Sequence, residues 1–219
     1  MDAEFWLSKW KSKVIGFHLD EVNPLLVEHI AALCLPQYSR IFLPLCGKTR
    51  DAGWLLGQGY RVAGCELSEI AVKELFQELG LEPEITRMTH GLHYAAPNID
   101  LFICDIFNLS EDLLGPVDAI YDRAALIALP LETRALYSHH LRSLTQAAPQ
   151  LLVTVTYDQE QMNGPPFSVT TEEINSHYSD TYDLMLLASS DVPGGLKGRC
   201  AALESAWLMQ RKKKRVALR

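Results

Sequence analysis

The sequence predicts an α/β fold: a doubly wound, mostly parallel seven-stranded sheet, with a C-terminal antiparallel hairpin and N-terminal helices covering the ligand crevice. Two observations carry this. Short apolar runs alternate with longer helical patterns through most of the chain, and the last third replaces that alternation with two strand-like runs around a Gly-rich loop. In order, Asp2–Lys11 and Asn23–Leu35 read as helices, with Trp6 and Trp10 one turn apart on one face. Mostly apolar runs follow at Arg40–Leu45, Arg61–Cys65, Leu101–Cys104, Val117–Tyr121 and Leu151–Val155. Each is too short for a buried helix and suits a strand covered on both faces. Helical patterns fill the gaps at Thr49–Leu56, Ser68–Leu79 and Ala124–Leu129, the last continuing past Pro130 to Leu144. Parallel strands need such crossovers, so the alternation itself implies the parallel sheet. The runs Leu184–Leu187 and Leu203–Met209, on either side of Pro193-Gly194-Gly195, fit a hairpin closing that sheet.

At 219 residues the chain is expected to form one domain, with residues 1–35 as its cover and the basic stretch Arg211–Arg219 as a disordered tail. Hydrophobic residues make up 48% and charged residues 21%, which excludes a disordered or fibrous chain. Six of the twenty basic residues fall in the last nine positions, leaving fourteen against 27 acidic residues in the body. Such a body repels nucleic acid and anionic membrane, so neither is expected as a partner. Cys34, Cys46, Cys65, Cys104 and Cys200 are an odd set without CxxC spacing, read as free thiols in a reducing compartment. With no apolar run long enough for a spanning helix, the expectation is a soluble, cytoplasmic monomer.

In an open parallel sheet, ligands bind beyond the carboxyl ends of the strands where strand order reverses, so the residues after each strand are the candidates. After the first comes Pro44-Leu45-Cys46-Gly47-Lys48-Thr49, which matches neither a dinucleotide GxGxxG nor a phosphate-binding GxxxxGK[ST]. After the second stands Glu66, spaced either to accept both hydroxyls of a ribose or to cap the helix starting near Ser68. A nucleoside without a pyrophosphate is implied. After the third, Asp105 could accept from an adenine amino group while Ile106 and Phe107 sandwich the ring. The fourth ends in Tyr121-Asp122-Arg123, where Arg123 either binds substrate or pairs internally with Asp122. His90 and His93 are placed in a loop, His139 and His140 on a helix without carboxylate partners, and no metal site is predicted.

Five blocks in order carry a further signal. They are Phe5-Trp6-Leu7-Ser8-Lys9-Trp10 with Ile15-Gly16-Phe17-His18 and Val22-Asn23-Pro24-Leu25-Leu26; Pro44–Lys48 with Asp51 and Trp54; Gly64–Ala71; Tyr121–Pro130; and Pro165–Val169. On these residues the sequence resembles the thiopurine S-methyltransferase family, bacterial branch, over nearly the whole chain. The resemblance implies a Rossmann-like methyltransferase fold that uses S-adenosyl-L-methionine, contacted at Trp10, Leu45, Glu66 and Arg123. It also implies methyl transfer to the sulfur of an aromatic or heterocyclic thiol such as a thiopurine. In that frame Phe17, His18 and Arg123 are expected beside the acceptor, with His18 and Arg123 as the catalytic candidates. His18 reads alternatively as a structural histidine bonded to Asp20 or Glu21. Two other readings stay open: a methyltransferase acting mainly on tellurium or selenium compounds, and a non-catalytic nucleoside sensor.

Overall fold

The computed structural model describes residues 3–213. The chain enters through α1 (Ala3–Lys11) and α2 (Pro24–His29), the latter passing into a 3₁₀ turn at Ile30–Leu33. The strands are β1 (Arg40–Pro44), β2 (Arg61–Glu66), β3 (Glu84–Met88), β4 (Gly91–Ala96), β5 (Ile99–Ile103), β6 (Ala119–Arg123), β7 (Gln150–Tyr157), β8 (Tyr182–Asp191) and β9 (Ala202–Arg211). The remaining helices are α3 (Arg50–Gly57), α4 (Glu69–Leu79), α5 (Glu111–Leu114), α6 (Leu131–Leu144) and α7 (Thr171–Tyr178).

All nine strands join one sheet in the order β3-β4-β5-β2-β1-β6-β7-β9-β8. The five central strands run parallel, and an antiparallel pair flanks them on each side. Every residue of β1 is buried, because helices cover both faces. On one face Leu26 of α2, Leu55 of α3 and Leu75 and Phe76 of α4 pack on the sheet; on the other, Tyr137 and Leu141 of α6 and Ile174 and Tyr178 of α7 do so. Each fully buried large side chain contributes about 1.5–3 kcal/mol. Local signals set the helix ends: Thr49 and Ser68 accept from the amides of Asp51 and Ala71, and Gly80 ends α4 in the left-handed conformation.

The fold class is as expected, with two strands more than the seven read from sequence. The addition is the β3–β4 hairpin. Glu84, Ile85, Thr86 and Arg87 are exposed, so β3 lacks the buried alternation that marks a strand. His93 therefore lies on β4 rather than in a loop, stacked on Phe102 at 4.7 Å and 3.2 Å from Asp100. The helix expected from Ala124 is replaced by a tight turn and a 3₁₀ segment at Leu126–Ala128, since the Asp122 carboxylate takes the Leu126 amide at 3.1 Å. The short helices α5 and α7 were not legible. Arg211 ends β9, and the Lys212 amide bonds Thr181 O at 3.0 Å, so the basic stretch begins as ordered strand. The rest of the expected tail, residues 214–219, lies outside the described residues, as do residues 1–2 of the expected cover.

From β1 the chain winds outward through β2 to β5, then crosses back to β6 on the other side of β1. Strand order reverses between β1 and β6, and the crevice opens above their carboxyl ends.

Candidate active site

The loop after β1 is bent by Leu45 and Gly47, both left-handed, at φ 46° and 55°. It is tied to the end of β2 by one side chain. Glu66, 6% exposed, accepts from the Gly47 amide through Oε2 and from the Ser68 amide through Oε1, each at 2.8 Å. Burial pushes its carboxyl above the ordinary range, and the donated amides of Ser68, Gly47 and Leu67 oppose that rise. Capping therefore occurs, and three donated amides leave one of the carboxylate's four lone-pair sites for another donor. Trp10 of α1 lies over this loop: a Cβ on Gly47 would stand 3.1 Å from its ring, so glycine allows this close approach without the ring giving way. Phe17 meets Trp10 and Trp6 edge-on, with centroids 5.5 and 5.4 Å away, and α1 also packs on α4. Trp10, Phe17, Leu45 and Glu66 thus converge on one wall.

Beyond β5, Asp105 caps a 3₁₀ turn by accepting from the Phe107 amide at 3.0 Å. The pair expected to sandwich a ring is split. Ile106 is buried in the core, whereas Phe107 is 41% exposed with its ring tilted against His140. The Nε2 of His140 lies 2.8 Å from Ile106 O and, as donor, anchors this turn from α6.

At the end of β6 the Asp122–Arg123 ion pair does not form among the described residues. Successive strand residues point to opposite faces. Asp122, fully buried, accepts from Tyr137 Oη at 2.7 Å and from the Leu126 amide. Burial raises its carboxyl to about 6. Arg123 is half-buried on the other face, where its charge acts on Tyr121 and on Glu204 of β9. Beside it, Asp51 is 1% exposed and accepts from the Asn23 amide at 2.8 Å and from Tyr121 Oη at 3.1 Å.

Between the segment after β7 and the β8–β9 loop, a cavity of about 390 Å³ is lined by Gln161, Met162, Asn163, Pro165, Lys197 and Arg199. Lys197 donates to Pro165 O at 2.7 Å, and burial followed by the charges of Arg199 and Lys9 pulls its ammonium below the ordinary lysine range. Lys9 belongs to α1, which therefore extends from α4 towards this cavity. The cavity wall is held from below: Phe167 donates to Ile127 O at 2.7 Å, and the buried Arg134 donates to Ser168 O at 2.9 Å while pairing with Glu173 at 2.9 Å. Sequence reading missed Lys197, Arg199 and Arg134, which sit in segments without a motif. Asp51 and Tyr121 fell inside the quoted blocks without drawing a role.

His18 stands apart from this cavity. Its Nε2 is 4.0 Å from Asp20, and burial, then the Lys48 charge, lowers its basicity. The other charges acting on it are Glu78 and Arg50, on α4 and α3. A second groove of about 440 Å³, between α3 and α4 and floored by Trp54 and Leu75, lies on that side too. It lies between two helices and not where strand order reverses, so the β1–β6 crevice remains the candidate site.

Residues 1–212 match the family model for thiopurine S-methyltransferase. The chain belongs to the thiopurine S-methyltransferase family. It is 53% identical over 214 residues to the thiopurine S-methyltransferase of Xanthobacter autotrophicus, covering 96% of this chain and all of that one. It is 51% identical to that of Gluconobacter oxydans, covering 94% of each. Among solved structures, the 1,6-didemethyltoxoflavin-N1-methyltransferase of Burkholderia thailandensis, with its substrate and S-adenosylhomocysteine bound, superposes with a TM-score of 0.66 at 16% identity, covering 96% of this chain and 87% of that one. The magnesium protoporphyrin IX methyltransferase of Synechocystis gives 0.63 at 16%, covering 94% and 99%. Family and fold make the chain an S-adenosylmethionine-dependent methyltransferase. No helix among the described residues is long and apolar enough to cross a membrane.

Proposed function

We propose that this enzyme methylates the sulfur of aromatic or heterocyclic thiols, thiopurines such as 6-mercaptopurine among them, with residues 1–35 acting as the cover of one catalytic domain. Bound S-adenosylmethionine supplies a methyl on a positively charged sulfur and departs as S-adenosylhomocysteine. The residues present fit that cofactor. The remaining acceptor site of Glu66 suits a ribose hydroxyl, the Asp105–Phe107 turn suits the base, and Trp10 packed over Gly47 closes the loop beside Leu45.

The observation that carries the acceptor assignment is the pair of cations, Lys197 and Arg199, on a polar cavity beside α1. Cations beside a thiol favour the thiolate, and the thiolate is the nucleophile. The proton passes to water, so no strong base is required. Arg123, Lys197 and Arg199 then orient the anion while Trp6, Trp10 and Phe17 exclude solvent. The neighbours of His18 on α3 and α4 argue for a role in holding the cover, not for proton transfer. The same cations favour a second acceptor class, small anions of selenium or tellurium.

Radiolabelled methyl transfer at saturating S-adenosylmethionine tests the assignment. A thiol should react much faster than its oxygen analogue, and Arg123→Ala should slow it more than Arg123→Lys. Equal rates for sulfur and oxygen would refute thiol specificity, and a preference for selenite or tellurite over 6-mercaptopurine would select the second class.

A further inference from the structure

Asp122 has an environment that a purely structural role does not require. It is fully buried at the end of β6, yet the three donors around it fit an ionised carboxylate: the Tyr137 hydroxyl at 2.7 Å, the Leu126 amide at 3.1 Å and the Ala125 amide. These amides form a turn whose first residue, Ala124, is left-handed at φ 61°, a conformation that a residue with a Cβ holds only when its surroundings fix it. The turn joins two functional pieces. Arg123 precedes it, and Ile127 follows it, accepting from the Phe167 amide at 2.7 Å beneath the cavity wall.

We propose that ionised Asp122 is a positioning residue, holding the Ala124–Ile127 turn so that Arg123 and the Phe167 wall keep their places together. The inference rests on the methyltransferase assignment and on the contact of Arg123 with the cofactor. Protonation makes the carboxyl neutral, so the charge-assisted bonds from the Tyr137 hydroxyl and the Leu126 and Ala125 amides weaken together and the turn loosens. The groups facing Asp122 are few. Tyr137 comes from α6, Tyr178 lies behind it on α7, and Cys65 of β2 stands near Tyr137. None is cationic, and Arg123 faces away, so the three donors alone oppose the burial that raises the carboxyl to about 6. A clamp of this kind releases in mild acid.

The test is calorimetry with S-adenosylhomocysteine on the full chain between about pH 5 and 8, for wild type, Asp122→Asn and Tyr137→Phe, with melting temperatures alongside. Wild-type affinity should fall about tenfold below a break near pH 6. Asp122→Asn should melt higher than wild type at pH 7.5, because it carries no buried charge, and still bind about tenfold more weakly with no break. Tyr137→Phe removes a donor to the charged form, so its break should move to higher pH. Wild-type affinity for Asp122→Asn at pH 7.5, or an acid break unmoved in either variant, overturns the role. Failure of wild type to bind S-adenosylhomocysteine at any pH would instead overturn the cofactor assignment and this inference with it.

Discussion

The two sides of the crevice are held by different means. On the cofactor side, the loop after β1 and the end of β2 are tied together by Glu66 through backbone amides only 19 and two residues away. On the acceptor side, Arg134 of α6, paired with Glu173 of α7, holds the Pro165–Ser168 wall, on which Lys197 lies; the turn after β6, held by Tyr137, stands between the two sides. The contrast is one of means: backbone amides near the strand ends on one side, buried side chains of the helices on the other. A site written into strand ends depends on the sheet alone, while a site assembled from remote loops depends on buried polar groups in the helices behind it. Removing a clamp should therefore damage the two sides differently.

The largest effect is expected at Arg134, buried and paired to Glu173 and Ser168 O. Arg134→Ala leaves Glu173 with His177 as its remaining charged partner, at 3.1 Å, and breaking such a pair costs about 3–5 kcal/mol. Urea unfolding should show that loss, and any folded fraction should bind S-adenosylhomocysteine normally but turn over thiol poorly. A variant with equally weakened cofactor binding would mean that the two sides are not independent.

Next comes the pH dependence that Asp122 imposes on stability. Its value in the fold, about 6, lies above its ordinary 3.8, so the unfolded chain gives up the proton first. The stability contributed by the protonated form is present in full below about pH 3.8 and is lost as pH rises through 6, a span of about 3 kcal/mol. Unfolding free energies of wild type and Asp122→Asn should therefore diverge in the variant's favour from pH 4 to 7. Parallel curves would place the charge elsewhere.

On the cofactor side, Glu66→Ala should cost about 1–3 kcal/mol of S-adenosylhomocysteine binding by leaving donors unpaired. Thiol affinity at saturating cofactor should barely change. Unchanged cofactor affinity, with the fold intact by circular dichroism, would dismiss the ribose contact. The smallest effect is expected at Gly47→Ala, where the added methyl meets Trp10 and the left-handed backbone costs about 1 kcal/mol. Amide exchange should rise in α1, which loses its seat, and leave α6 unaltered; equal protection in α1 would separate Trp10 from the loop.

Much of this was present in the chain order of the residues. The β1, β2, β5, β6 and β7 runs, the helices beginning near Thr49 and Ser68 and the candidates Glu66, Asp105 and Arg123 were readable because strand burial and helical periodicity are local. Family blocks added Trp10 and Leu45. What sequence left open, tertiary structure resolved. Whether Glu66 capped a helix or kept lone pairs free, and whether Asp122 met Arg123 or Tyr137, depended on which face each strand presented to which helix. Lys197 and Arg199 became cavity residues only when the β8–β9 loop folded beside Pro165. The β3–β4 hairpin escaped notice because its exposed residues have no burial pattern, and β5 alone gives it a place in the sheet. Apolar spacing acts within a few residues of the chain, so sequence determined the buried strands and most of the helices between them. Charge burial and partner choice act across the packed interior, where only the assembled fold decides which groups meet.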